Sequence, residues 1–252
     1  MYFSCVYPYA PIIDRLAFLQ EYTANTCSVF LLQSIFANTA PYASLELLRQ
    51  AGYQDRLVAQ KDFFSRATLL YDLGCEKSQL HLLQGSIMLS SLSFSYSIDK
   101  DYRYWLSNAC RIATRMGLHR AHVAERMCPG MKTLFRRIWW VLYNRDILLA
   151  TSGLDNLRRF NDRYCDTPPL TKSDWDEEGD VPEIYRGFLG PITTLQKLFL
   201  IEYSKLSVIS KTPQAVDLSP GPQITDSISE VACSFATSRR PRNLLLLHKL
   251  TP

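Results

Sequence analysis

YRYWLSNACRIATRMGLHR (102–120), LFRRIWWVLYNRDILLATSG (134–153) and RRFNDRYCDTPPLTKSDWD (158–176) lie close together in a chain of 252 residues. In the first, Tyr102, Trp105, Leu106, Ala109, Ile112, Ala113 and Met116 recur in steps of three and one, the mark of one helix face. Asp99 or Asp101 can cap that helix, and Gly117 supplies its stop. The second stretch carries two adjacent apolar lines, Leu134/Ile138/Val141/Leu148 and Phe135/Trp139/Leu142/Leu149. They predict a helix from about Lys132 to Ala150, after a loop holding Pro129 and Gly130. Asp146 falls on the second line, so its carboxylate is expected to point inward. A buried charge without a partner is very costly. Arg111, Arg159 and Arg163 are the candidate partners. The third stretch has no periodicity and holds Pro168 and Pro169, so residues 151–183 read as loop.

Working outward, Ile184 to about Ser210 returns to a helical pattern. A Pro/Ser/Gly linker comes next at 211–223, then a last helix over Ile224–Ala236. The end, SRRPRNLLLLHKLTP, reads as a truncated or altered terminus. Upstream, three tyrosines and two prolines in residues 1–12 predict an extended opening segment. Asp14 caps a short helix to Tyr22, and a second helix spans Asn25 to Asn38. A turn of helix at 45–48 is closed by Gly52, and a longer helix from Leu57 stops at Gly74. Ser78 opens a helix to about Ser97 that is apolar nearly all round and therefore central. Its Gly85, Ser86, Ser90 and Ser91 allow close approach of neighbours. The turn at 74–78 predicts a helical hairpin. No run alternates in the β manner, no Asn-Gly hairpin turn occurs, and no repeat is visible. The fold class is all-α: a single multi-helix domain of antiparallel helical hairpins over 1–210, with 211–252 a linker and helical tail.

Hydrophobic residues make up 47% of the chain, and the net charge is only +4. That charge is too mild to mark a nucleic-acid binder. Seven cysteines, at 5, 27, 75, 110, 128, 165 and 233, are scattered without a CxxC pair. Reduced, mostly buried thiols in an intracellular protein fit better than a disulfide framework. The N-terminus lacks a secretory-signal pattern, and no apolar run approaches the roughly 18–20 residues of a membrane helix. No membrane association is expected.

The motifs that could carry chemistry are weak. GxGxxG, GxxxxGK[ST] and GxSxG are absent. His119 and His122 form an HxxH pair near Cys110 and Cys128, but Gly117 should end the helix before them, so a polar turn with one histidine packed on a neighbour outweighs a metal site. DWDEEGDVPEIY at 174–185 mimics the opening of a calcium loop, yet Tyr185 stands where the bidentate Glu is needed. An exposed acidic loop or a helix cap is the better reading. Arg136 and Arg137 beside Trp139 and Trp140 could touch nucleic acid. On so apolar a helix the tryptophans belong in the core and the arginines bind carboxylates or stack on rings. Arg239, Arg240 and Arg242 read as a short solvated charge run rather than a nuclear-import patch.

In order and spacing these stretches resemble the regulatory domain of fungal zinc-cluster transcription factors, also called the middle homology or fungal-specific transcription factor domain. The likeness is greatest to cutinase-gene activators. It rests on the turn Gly117, Leu118, His119, Arg120; on Arg136, Arg137, Trp139 and Trp140 with Asp146 beyond them; and on Gly153, Arg159, Asp162, Cys165, Asp166 and Leu170. The segment YPYAPIIDRLAFLQEY at 7–22 resembles the family's opening segment, and the likeness spans roughly residues 2–210. The chain departs at 154–157, where Leu-Asp-Asn-Leu stands in place of the family's Arg-Pro. The resemblance implies a non-enzymatic, all-α regulatory domain of a nuclear protein. It would control RNA polymerase II transcription through transcriptional co-regulators or a small effector, with homodimerisation open. DNA binding and zinc belong to an N-terminal six-cysteine module that these residues do not contain, so no cofactor is expected in this chain. The competing readings are a ligand-sensing module with an apolar cavity and a helical enzyme whose pocket gathers Asp146, His119 or Cys165.

Overall fold

A computed structural model describes residues 1–92, 99–152, 155, 157–175, 182–187 and 189–210, all within the Met1–Lys211 unit of the chain. Among them are α-helices α1 (Tyr2–Cys5), α2 (Arg15–Thr23), α3 (Val29–Thr39), α4 (Leu45–Gln50), α5 (Arg56–Asp72), α6 (Gln79–Leu89), α7 (Tyr102–Arg115), α8 (Ala121–Glu125), α9 (Pro129–Thr151), α10 (Glu183–Arg186) and α11 (Thr194–Ser210). Three 3₁₀ turns lie at Ala40–Tyr42, Asp162–Tyr164 and Lys172–Trp175, and the described residues contain no strand. The all-α expectation holds. No described helix is long and apolar enough to cross a membrane.

Local sequence explains where most helices begin. Asp14, Ser28, Ser44, Asp55, Ser78 and Asp101 each place a side-chain oxygen under a backbone N–H of the first turn. Each such cap contributes about 1 kcal/mol. The helix ends obey a matching rule. Gly52, Gly74 and Gly117 have φ of +88°, +62° and +79°, and Asn25 takes the same left-handed conformation at +55°. At Gly117 the Leu118 N–H donates to the Ala113 carbonyl and the Gly117 N–H to Thr114, each at 3.0 Å, a Schellman closure.

α3 sits at the centre of the first half. It packs on both α5 and α6, and α6 packs on α7. The predicted hairpin of α5 and α6 is thus bridged by α3, which packs on both, while α6 packs as extensively on α7. Residues 83–89 of α6 are buried without a break, as its all-round apolar pattern requires. A Cβ on Gly85 would lie 2.2 Å from the Phe30 ring, so glycine permits the close approach of α3 and α6. Two polar contacts cross this core: Tyr71 Oη donates to Asn108 Oδ1 (3.0 Å), and Asn108 Nδ2 donates to Ser86 Oγ (2.9 Å). Gln84 Nε2 donates to the Ile12 carbonyl at 2.7 Å, tying α6 to the opening segment.

α9 organises the second half, packing on α7, α8, α11 and the Lys172–Trp175 turn. Several boundaries differ from expectation. Residues 2–5 are helical rather than extended, because Pro8 and Pro11 restrict only themselves and their immediate neighbours, and Tyr2 and Tyr7 turn into the core. α9 begins at Pro129, not Lys132; proline at the first helical position needs no hydrogen-bonded N–H. α6 ends at Leu89 instead of Ser97, and residues 93–98 lie outside the described residues. The single helix expected from Ile184 is two, α10 and α11, separated by residues that include Gly187, Gly190 and Pro191. The short α8 carries too few residues for a periodic signal. The helix expected at Ile224–Ala236 lies outside the described residues.

Candidate functional site

The residues singled out in sequence converge where α9 grips residues 157–175. Asp146 is fully buried in α9. Its carboxylate accepts from Arg158 Nε (3.2 Å), Arg159 Nη1 (3.3 Å), Arg159 N (3.0 and 3.1 Å to the two oxygens) and Phe160 N (3.2 Å). Of the three arginines expected as partners, Arg159 is the one that pairs. Arg111 instead donates to Asn108 Oδ1 at 2.8 Å. Arg158 was not foreseen, because nothing in the pattern separates it from its neighbour. Arg159 is shared further, donating to Ser107 Oγ on α7 (2.9 Å) and pairing with Asp155. The bond from Arg159 holds the Asp155 carboxyl below the usual range. This one carboxylate and one guanidinium therefore fasten the segment to α9 and α7 together.

Nearly one turn earlier, Tyr143 Oη donates to Asp162 at 2.8 Å, and burial first, then that bond, raises the Tyr143 hydroxyl well above its ordinary value. Arg158 lies over the Tyr143 ring at 5.7 Å and 3.6 Å from Asp162. Trp139 packs on Phe160, ring centres 4.5 Å apart, and Trp140 Nε1 donates to the Pro168 carbonyl at 2.8 Å. Both tryptophans are core, as their helix predicted. At the far end, Arg136 pairs with Asp174 at 2.8 Å. Arg137, wholly buried, donates to the carbonyls of Pro11 (2.9 Å) and Asp174. Asp174 is itself fully buried, so it is not part of an exposed acidic loop; residues 176–181 lie outside the described residues. Its second oxygen accepts from Thr171 N at 2.7 Å.

The Gly117–Arg120 turn is stitched to the same segment. Thr167 Oγ1 donates to the Leu118 carbonyl (2.7 Å), Asp166 N to the His119 carbonyl (3.0 Å), and Ala121 N to Asp166 Oδ1 (2.8 Å). The His119 ring leans on Trp139 at 6.3 Å, and burial first, then the Arg120 charge, lowers its pKa. His119 Nδ1 is buried without a hydrogen-bond partner among the described residues. Cys165 Sγ contacts the Asn161 carbonyl at 3.2 Å, and burial pushes its thiol up to about 11, away from thiolate chemistry. Gly153 lies outside the described residues. Arg145 escaped the sequence reading: it crosses from α9 to α6, donating to Ile87 O (2.6 Å) and Ser90 Oγ (2.9 Å), and burial lowers it to about 10.

Chemically, the arrangement is a clamp. The Asp146 and Asp174 oxygens are occupied by protein donors. One depression, lined by Arg120, Lys132, Arg136 and Phe135, has a volume of about 60 Å3; a second, lined by Leu134, Phe18 and Leu80, has about 150 Å3. Neither is lined by Asp146, His119 or Cys165. Zinc does not fit the described residues. The cysteines of the described residues are free, and no three metal-ligating side chains gather among them.

The comparisons agree with the motifs. The family model for the fungal specific transcription factor domain matches residues 1–153. Fusaric acid cluster transcription factor FUB12 of Gibberella fujikuroi is 38% identical over 224 residues, covering 88% of this chain and 32% of that protein. Cutinase transcription factor 1 beta of Fusarium vanettenii is 32% identical over 182 residues, 70% of this chain and 20% of its own length. The acetamidase regulatory protein of Emericella nidulans is 31% identical over 182 residues, 69% and 22% of the two chains. The chain spans about a third or less of the length of these relatives. No solved structure matches. The chain belongs to the fungal-specific transcription factor domain family.

Proposed function

We propose that this chain supplies the regulatory domain of a nuclear fungal transcription factor, which changes RNA polymerase II transcription by contacting transcriptional co-regulators or a small effector. Residues 1–210 are the regulatory domain in this reading, and 211–252 a linker and tail. DNA is contacted by a zinc-cluster module outside these residues, and the domain carries out no catalysis. The observation that carries the reading is the family match over residues 1–153, whose last helix is the clamp helix α9. The geometry supports it, because buried ion pairs set how α7, α9 and residues 157–175 are held together, an arrangement a partner or effector can bias. Likeness to a fusaric acid cluster factor points to genes of a metabolic cluster as targets. The test is to delete the coding sequence and tag the protein fluorescently. The reading expects nuclear fluorescence and a coherent set of altered transcripts. An unchanged transcriptome with protein confined to the cytoplasm would overturn it.

A further inference from the structure

We propose that the groove between α2, α6 and the first turn of α9 binds a small apolar amine, the effector class for the regulation proposed above, on which this inference rests. Its floor is Ile13, Phe18, Leu80, Met131 and Leu134, and its volume is about 150 Å3. A cavity of that size accepts a single aromatic ring. The charged and titratable groups at the groove are Asp14 and Glu21 from α2 and His81 from α6, with Glu76 behind His81; no Lys or Arg lines it. The site therefore carries an apolar floor and an anionic rim, the complement of an ammonium on a hydrocarbon body.

The carboxylates are not equivalent. Asp14 Oδ1 is taken by the Ala17 N–H at 2.9 Å, and Glu76 accepts from Ser28 Oγ and from Ser78 N (2.6 Å). Glu21 has only His81 Nε2, at 3.9 Å, beside its carboxylate among the described residues. That separation is too long for a hydrogen bond. Glu21, with neither oxygen in a hydrogen bond among the described residues, has the larger capacity for an ammonium. The opening turn of α9 contributes Gly130 and Met131 to the groove. It is the positive end of a 23-residue helix whose cap residue, Cys128, makes no side-chain hydrogen bond. This orients the cation toward Glu21 and the hydrocarbon toward Met131. An occupant so placed touches α2, α6 and α9 at once, and α9 carries the clamp residues Arg136 and Asp146.

The test uses the full 252-residue chain at neutral pH with phenethylamine as probe and its neutral isostere 2-phenylethanol as comparison, both monitored by NMR titration. Phenethylamine should bind saturably and about threefold or more tighter than the alcohol, the scale of one partly exposed ion pair. Glu21→Gln should bring the amine to the affinity of the alcohol. Ala17→Trp, at an exposed helix position, should block both while leaving the circular dichroism unchanged. The proposal is overturned if phenethylamine fails to saturate by about 10 mM, if amine and alcohol bind equally, or if Glu21→Gln has no effect. Binding is read on purified protein, so such a failure leaves the transcriptional reading intact. A bound amine with no transcriptional role for the protein would do the reverse.

Discussion

Replacing Asp146 by alanine removes the acceptor from four N–H groups on three consecutive residues, Arg158 Nε, Arg159 N and Nη1, and Phe160 N. The Arg159 side chain is only 6% exposed, so water cannot take the place of the lost carboxylate. Breaking a buried pair by removing one partner costs about 3–5 kcal/mol. Against a total stability of about 5–15 kcal/mol, that is a large share. With a urea slope of about 2 kcal/mol per molar, the denaturation midpoint should fall by roughly 1.5–2.5 M. Asp146→Asn keeps one acceptor oxygen but turns an amide N–H2 toward donors, so it should lose about 1.5–3 kcal/mol. A double-mutant cycle with Arg159→Ala should show a coupling of about 0.5–3 kcal/mol. A midpoint shift of less than about 0.5 M for Asp146→Ala, or strict additivity in the cycle, would refute the clamp as described.

Gly85→Ala should destabilise by about 1–3 kcal/mol in thermal melts, because its Cβ would overlap the Phe30 ring at 2.2 Å inside a packed α3–α6 contact. Gly117→Ala should cost more than Gly52→Ala: both sit at positive φ, but a Cβ at 117 also meets Val123 at 2.9 Å while 52 is open. Trp140→Phe should cost about 1–3 kcal/mol by leaving the Pro168 carbonyl unsatisfied, with amide exchange rising first around residues 165–170. Burial alone would raise the Glu76 carboxyl, but the bonds from Ser28 and Ser78 and the His81 charge outweigh it and lower its pKa. Its stabilisation is therefore present above the unfolded value of about 4.5 and lost as pH falls through the lower folded value. Glu76→Gln should flatten the acid side of the stability profile in that window, and an unaltered profile would exclude the contribution.

Legibility in the sequence depends on how local each cause is. Caps such as Asp14, Ser78 and Asp101, and stops such as Gly74 and Gly117, act within a few residues of themselves, so they are readable one by one. The inward Asp146 was legible because α9 carries two unbroken apolar lines and a carboxylate on one of them. Which arginine would meet it was not. The choice depends on the path of residues 157–160, set by tertiary contacts, and Arg158 and Arg159 arrive from adjacent positions. The packing of α5 and α6 on α3 was hidden for the same reason: turn chemistry at 74–78 says that two helices are consecutive, not which third helix fills the space between them. Asp174 misled through its neighbours, since an acidic sequence context reads as solvated while its partners, Arg136 and Thr171, are remote or unremarkable in sequence. The Glu21–His81–Glu76 grouping joins α2 to the start of α6, a tertiary contact with no sequence signal.

The most direct test of the account fuses this chain to a heterologous DNA-binding domain in a fungal reporter strain, with Asp146→Ala as the paired variant and protein levels matched. The account predicts that the tethered chain raises or lowers reporter transcription relative to the DNA-binding domain alone, and that Asp146→Ala removes most of the change. A reporter unmoved by the intact chain would contradict the regulatory assignment, and an effect untouched by Asp146→Ala would separate regulation from the clamp.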